Sequence, residues 1–134
     1  MKVVWVNGCF DILHRGHIEM FKYAKSVGDL LVVGIDSDER ISKNKGQSRP
    51  VNCLNDRRFI LESIKYIDSV VSFASDKELK ENILKSKASI MVIGTDYKNK
   101  KIIGSDIFEE IKFFKRIDKY STTNIIKDLN EIRI

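Results

Sequence analysis

Short aliphatic runs alternate down this chain with stretches whose apolar residues fall three and four apart, and that alternation limits the fold more than any other feature. Val3 to Val6 is a β-branched and aromatic run closed by Asn7-Gly8. Leu30-Leu31-Val32-Val33-Gly34-Ile35, Ser69 to Phe73 and Ser89 to Ile93 repeat the pattern, and Ile111 to Ile117 offers a short fifth run. Runs this short and this apolar suit strands buried on both faces. Between them His17 to Val27, Leu54 to Ile67 and Asp76 to about Lys85 carry helix-spaced apolar positions. Gly28 stops the first of these, and Asn52 or Asn55 is available to cap the second. Ser121 or Thr122 can open a terminal helix with the stripe Ile125, Ile126, Leu129 and Ile132. Such alternation requires right-handed crossovers. The expected fold is therefore α/β: a Rossmann-like, doubly wound, mostly parallel five-stranded sheet with helices on both faces.

A length of 134 residues with 43% hydrophobic and 32% charged side chains suits one domain, 1–134, around one sheet. Cys9 and Cys53 are the only cysteines and lack metal-ligand spacing, so neither a disulfide framework nor a zinc site is expected. Met1 to Val6 is too short for the apolar part of a signal peptide, and no apolar run reaches bilayer length. The expectation is a soluble, cytoplasmic protein without a membrane partner. The formal charge of +5 fits a protein that handles anions and equally fits plain solubility. No aromatic-rich basic strand or helix-turn-helix pattern accompanies it, which argues against nucleic acid as the partner.

Ligands of doubly wound sheets bind beyond the carboxyl ends of the strands. The loops that begin at Asn7, Asp36 and Gly94 should accordingly share one rim. Asp36 to Asn52 is polar, basic and contains the only proline, Pro50, so it is expected as a long loop; Thr95 to Gly104 is expected as another. The first rim loop lacks Gly-x-Gly-x-x-Gly and carries bulky Phe10 and Leu13, which speaks against a dinucleotide-binding dehydrogenase. It carries instead the only histidines, His14 and His17, three residues apart around Gly16 where strand gives way to helix. Two imidazoles so spaced can donate toward one anion above the helix N-terminus, where backbone N–H groups point the same way. Gly16 would allow phosphate oxygens close to the main chain, and Gly8 a sharp exit from the strand. A bare His-x-x-His also fits an ordinary surface helix start or a metal at i, i+3 spacing.

The string Gly8-Cys9-Phe10-Asp11-Ile12-Leu13-His14-Arg15-Gly16-His17 resembles the signature of the cytidylyltransferase-like nucleotidyltransferases, in its glycine, phenylalanine, aspartate and His-x-Gly-His. The resemblance runs through the chain. Lys45 to Asn52, Gly94 to Lys98 and Tyr120 to Ile126 are similar to segments of the bacterial adenylyltransferases that make ADP-heptose for cell-surface carbohydrate. Arg116 followed by Tyr120-Ser121-Thr122-Thr123 is similar to a segment of the glycerol-3-phosphate cytidylyltransferases and departs from the ADP-heptose enzymes, whereas Gln47 departs from the second lysine of the cytidylyltransferases, so base and acceptor stay open between the two.

This resemblance implies transfer of a nucleotidyl group from a nucleoside triphosphate to a phosphorylated sugar or polyol, with Mg²⁺ bound mainly through the triphosphate and no dedicated protein metal site. It implies that His14 and His17 stabilise charge around the α-phosphorus and that Lys45 stands between triphosphate and acceptor phosphate. Lys43 is a lesser candidate, and both lysines also fit a solvated basic loop. Gly8, Cys9, Phe10, Asp11 and Gly16 would line the nucleotide, with Asp11 orienting phosphates or Mg²⁺ and Asp96 near base or acceptor. Arg116, Tyr120, Ser121, Thr122 and Thr123 would complete the nucleotide site. Arg57 would contact the acceptor and leave Arg58 exposed. Apolar residues between Ile107 and Phe114 would suit a homodimer contact or the core.

Overall fold

A computed structural model of the chain describes residues 1–115 and 122–131. Strands β1 (Val3–Gly8), β2 (Leu30–Asp36), β3 (Ser69–Phe73), β4 (Ile90–Gly94) and β5 (Glu110–Phe114) form one sheet in the order β3-β2-β1-β4-β5. Every pairing is parallel. The helices are α1 (Arg15–Ser26), α2 (Asp38–Lys45), α3 (Leu54–Glu62), α4 (Asp76–Ser86) and α5 (Thr122–Glu131). The expected Rossmann-like architecture is thus present. Strand order reverses between β1 and β4, the place where such sheets open a crevice.

Strand alternation separates two cores. Val4 and Val6 of β1 join Phe21 and Ala24 of α1 and Leu61 of α3 on one face. Trp5, pointing the other way, joins Phe73, Met91 and the α4 residues Leu79 and Ile83. Trp5 lies so close across β2 that a Cβ added to Gly34 would stand 2.5 Å from its ring. Of the apolar residues between Ile107 and Phe114, Phe108, Ile107 and Ile111 pack in the second core and Phe114 against the first, while β5 itself is an edge strand. No described helix is long and apolar enough to cross a membrane.

Several boundaries differ from expectation. The stretch 36–52 is not all loop, because α2 occupies Asp38–Lys45. Ser37 accepts from the Arg40 N–H as N-cap, Asp38 and Glu39 occupy the first turn, Lys43 and Lys45 the last, and Gly46 at φ 104° ends the helix. Its one buried apolar residue, Ile41, left almost no periodic signal. Helix α3 is capped by Cys53 without a side-chain bond, not by Asn52 or Asn55, and stops at Glu62. Ile64 and Ile67 still pack inward, through tight turns in which Ile64 N–H donates to Leu61 O and Ile67 N–H to Ile64 O. Helix α1 begins two residues earlier than expected, at Arg15, and β5 ends at Phe114.

Candidate active site at the carboxyl ends of β1, β2 and β4

His14 is the N-cap of α1, with extended backbone at φ −138°, ψ 175°. Its Nδ1 accepts the Gly16 N–H at 3.0 Å, and His17 Nδ1 reaches back to accept the His14 N–H at 3.2 Å. This is a reciprocal capping box built from two imidazoles. The rings stack with centroids 3.8 Å apart and planes 26° apart. An Nδ1 that accepts an amide proton carries none itself, so in each neutral ring the proton sits on Nε2. The fold therefore fixes both tautomers and makes Nε2–H the donor of each ring. The Gly16 amide is engaged in the cap, so imidazoles take the donor role expected of bare helix-start amides.

Phe10 seats this pair. It occupies the left-handed region at φ 48°, a strained conformation for a bulky residue, and is held there by burial. Its ring meets His17 edge-on at 5.4 Å and Phe21 at 5.1 Å. Gly8 serves that packing, since a Cβ there would stand 3.1 Å from the Phe10 ring.

Arg57 departs from its expected ligand role, and the Asp11 carboxylate is engaged by protein donors. The Asp11 side chain is 0% exposed; Oδ2 accepts from Arg49 Nε at 3.0 Å and Val51 N–H at 2.8 Å, and Oδ1 from Asn52 N–H at 2.8 Å. It ties the loop after α2 to the histidine loop. Arg57 is fully buried, donating through Nε to Asn52 O, through Nη1 to Cys9 O and Asp36 O, and through Nη2 to Asp38 at 2.7 Å. A side chain so enclosed binds loops together and does not touch an acceptor. Arg58, expected to be exposed, is half-buried and donates to Val70 O and Ser72 Oγ.

A cavity of about 460 Å³ opens over the β1/β4 reversal. Gly8, Cys9, Phe10, Asp11, His14, Gly16, His17, Lys45 and Asp96 all line it, so the loops after β1, β2 and β4 do share one rim. Lys45 is exposed at the end of α2, and Lys43 does not line the cavity. Burial pushes the Cys9 thiol up to about 11, and the Asp36 carboxylate adds to the effect; Cys9 Sγ lies 3.6 Å from Asp36 Oδ2. Such a thiol is a packing group, not a nucleophile. Arg116, Tyr120 and Ser121 lie outside the described residues; Thr122 and Thr123 begin α5, with their side chains undescribed. Arg40, Tyr97 and Lys101 also line the cavity and escaped the sequence reading. The Ser37 cap followed by acids and then bases was the signal that would have revealed α2, and with it Arg40.

The decisive comparison is with a family model described as cytidylyltransferase-like, which matches residues 5–132. The chain belongs to the cytidylyltransferase-like family. It is a nucleotidyltransferase of that family. It is 43% identical over 132 residues to the bifunctional protein HldE of Campylobacter concisus, covering 98% of this chain and 28% of that protein. It is 44% identical over 131 residues to the HldE of Aliarcobacter butzleri, covering 97% of this chain and 27% of that protein. The chain thus spans somewhat more than a quarter of these relatives. Its fold is similar to that of a lipopolysaccharide core biosynthesis protein from Thermoplasma volcanium, with a TM-score of 0.71 at 24% identity over 87% of this chain and 99% of that one.

Proposed function

We propose that this chain transfers an adenylyl group from ATP to heptose 1-phosphate, forming ADP-heptose and pyrophosphate. The observation that carries the reading is the double-imidazole cap of α1, whose tautomers make both Nε2–H groups donors at a cavity over the β1/β4 reversal. The acceptor is supported by similarity to the HldE proteins across nearly all of this chain and by the segments Lys45 to Asn52 and Gly94 to Lys98, which resemble ADP-heptose-forming adenylyltransferases.

A phosphate monoester is already a nucleophile at neutral pH, so the reaction requires positioning and charge stabilisation more than a general base. An acceptor phosphate oxygen attacks the α-phosphorus, the bond from that phosphorus to the α,β-bridging oxygen breaks, and pyrophosphate leaves with the electron pair. His14 and His17 donate from Nε2 to oxygens of the α-phosphate, and Lys45 lowers the repulsion between the two anions. Ser121, Thr122 and Thr123 serve the β- and γ-phosphates. Among the described residues no three His, Cys, Asp or Glu side chains gather to hold a metal, and the Asp11 carboxylate is committed to the loop. That arrangement suits Mg²⁺ carried on triphosphate oxygens, which needs few protein ligands and would neutralise phosphate charge there. The reaction belongs in the cytoplasm, which supplies triphosphates and keeps Cys9 and Cys53 as thiols.

The test is pyrophosphate release in a matrix of four nucleoside triphosphates against heptose 1-phosphate, glycerol 3-phosphate and other phosphorylated acceptors. ATP with heptose 1-phosphate should give the highest kcat/KM. A maximum at CTP with glycerol 3-phosphate would reassign base and acceptor, and triphosphate binding without release for any pair would make the chain a non-catalytic nucleotide-binding module.

A further inference from the structure

The two ends of the cavity differ in chemistry. Toward β4 and β5 Val92, Ile93, Ile102, Ile103 and Phe114 line it with Tyr97, apolar walls suited to a planar base, beside the charged Asp96 and Lys101. Toward β2 it carries Asp36, Arg40 and Lys45 beside Phe73 and Leu79. Asp36 is the last residue of β2, and Arg40 lies one turn into α2. Arg40 Nε donates to Asp36 Oδ1 at 2.8 Å and Nη2 donates to Asp76 Oδ1 at 2.7 Å, while the guanidinium carbon lies 5.4 Å from the centre of the Phe73 ring. Two ion pairs and a stacked ring hold this side chain in one orientation, with side-chain exposures of only 20% for Arg40 and 15% for Asp36. Both groups keep hydrogen-bonding capacity. Among the described residues Asp36 Oδ2 meets only the Cys9 thiol at 3.6 Å, a weak donor, and Arg40 Nη1 has no protein acceptor.

We propose that Asp36 and Arg40 are the specificity-determining pair for the acceptor, Asp36 accepting from and Arg40 donating to neighbouring hydroxyls of a phosphorylated polyhydroxy substrate. This assignment rests on the nucleotidyl-transfer reading and adds which end of the cavity reads the acceptor and by what groups. A carboxylate at the end of the second strand is a hydroxyl acceptor in other doubly wound sheets, where it reads a ribose. Here the same helix also carries Lys45 five residues on, about 7.5 Å along the axis. A sugar bearing a phosphate spans that separation, with its phosphate toward Lys45 and its hydroxyls toward Asp36.

Asp36→Asn keeps the size of the side chain, and Arg40→Met keeps an apolar stem over Phe73. Each should raise KM for heptose 1-phosphate at least tenfold and leave KM for ATP within twofold. Each should also abolish the rise in Tm that heptose 1-phosphate alone gives the wild type, while the rise given by ATP persists. A KM for ATP that climbs in step with that for the acceptor would move the pair to the ribose and overturn the assignment, as would unchanged constants for both substrates. If the wild type releases no pyrophosphate with any pair of substrates, the transfer reading fails. The thermal-shift arm still decides the pair in that case: equal stabilisation of wild type and variants by heptose 1-phosphate, or none of the wild type, overturns it.

Discussion

Each histidine of the α1 cap holds a backbone amide on Nδ1, and the proposed mechanism gives it a second function as a donor from Nε2. Substitutions can separate them. His14→Ala removes cap and donor together, and should cost about 1 kcal/mol of stability through the cap as well as turnover. His14→Asn restores a good N-cap acceptor, so its urea midpoint should return toward wild type while kcat stays down by about 10²- to 10³-fold, the scale for losing one donor to developing charge. Pyrophosphate release and urea melts on the two variants check this; activity that recovers with the cap would make the histidine structural. Cys9 makes a second case of burial deciding chemistry. With its thiol pushed up to about 11, the thiolate fraction at pH 8 is on the order of one in a thousand. Below that value Cys9 stays protonated, so a thiol reagent at pH 8 should modify exposed Cys53 rapidly and Cys9 only slowly. Mass spectrometry of the quenched reaction distinguishes them, and equal labelling would show that the Cys9 thiol is not raised.

At the scale of elements, the active-site loops are held less by their own sequences than by the first turns of α3. From there Arg57 reaches Cys9 O after β1, Asp36 O at the end of β2, Asn52 O before α3 and the carboxylate of Asp38 at the start of α2. Arg57→Met fills most of the volume and leaves three carbonyls without that donor. It should destabilise the fold by about 3–5 kcal/mol, read as a lower urea midpoint. Arg58→Met, which loses bonds only to β3, should cost markedly less. What was legible in the sequence follows the same division. The strands and α1 declared themselves because their buried faces are apolar at period two or 3.6, and the capped histidines sit where that pattern predicts a strand-to-helix turn. Helix α2 did not, because its stability comes from a cap, charges at its ends and one buried isoleucine. Asp11 and Arg57 looked like ligand-binding residues because the types that bind phosphate and acceptor are also those that clamp polar loops. Only the burial of their side chains tells the two uses apart, and burial of a charge depends on partners as far as 48 residues away in sequence.

For the molecule as a whole, the parallel sheet carries the rim, and on the proposed reading substrate anions meet its cationic groups. Lys45, Arg40 and Lys101 line the cavity alongside Asp36 and Asp96, and the chain carries a formal charge of +5. A triphosphate that binds this rim only in the folded state must raise stability by mass action, by about 2.7 kcal/mol at a hundred times its Kd. On the proposed reading Mg²⁺ enters that linkage through the oxygens of the nucleotide. Chelation should therefore separate two quantities. Excess EDTA should leave the Tm of the nucleotide-free protein unchanged and abolish pyrophosphate release, with the nucleotide-dependent rise in Tm reduced but not lost. Restoring Mg²⁺ should recover both. A fall in the Tm of the nucleotide-free protein on chelation would instead place a structural cation in the fold, and the account of Asp11 as a clamp on Arg49, Val51 and Asn52 would then have to yield a carboxylate oxygen to it.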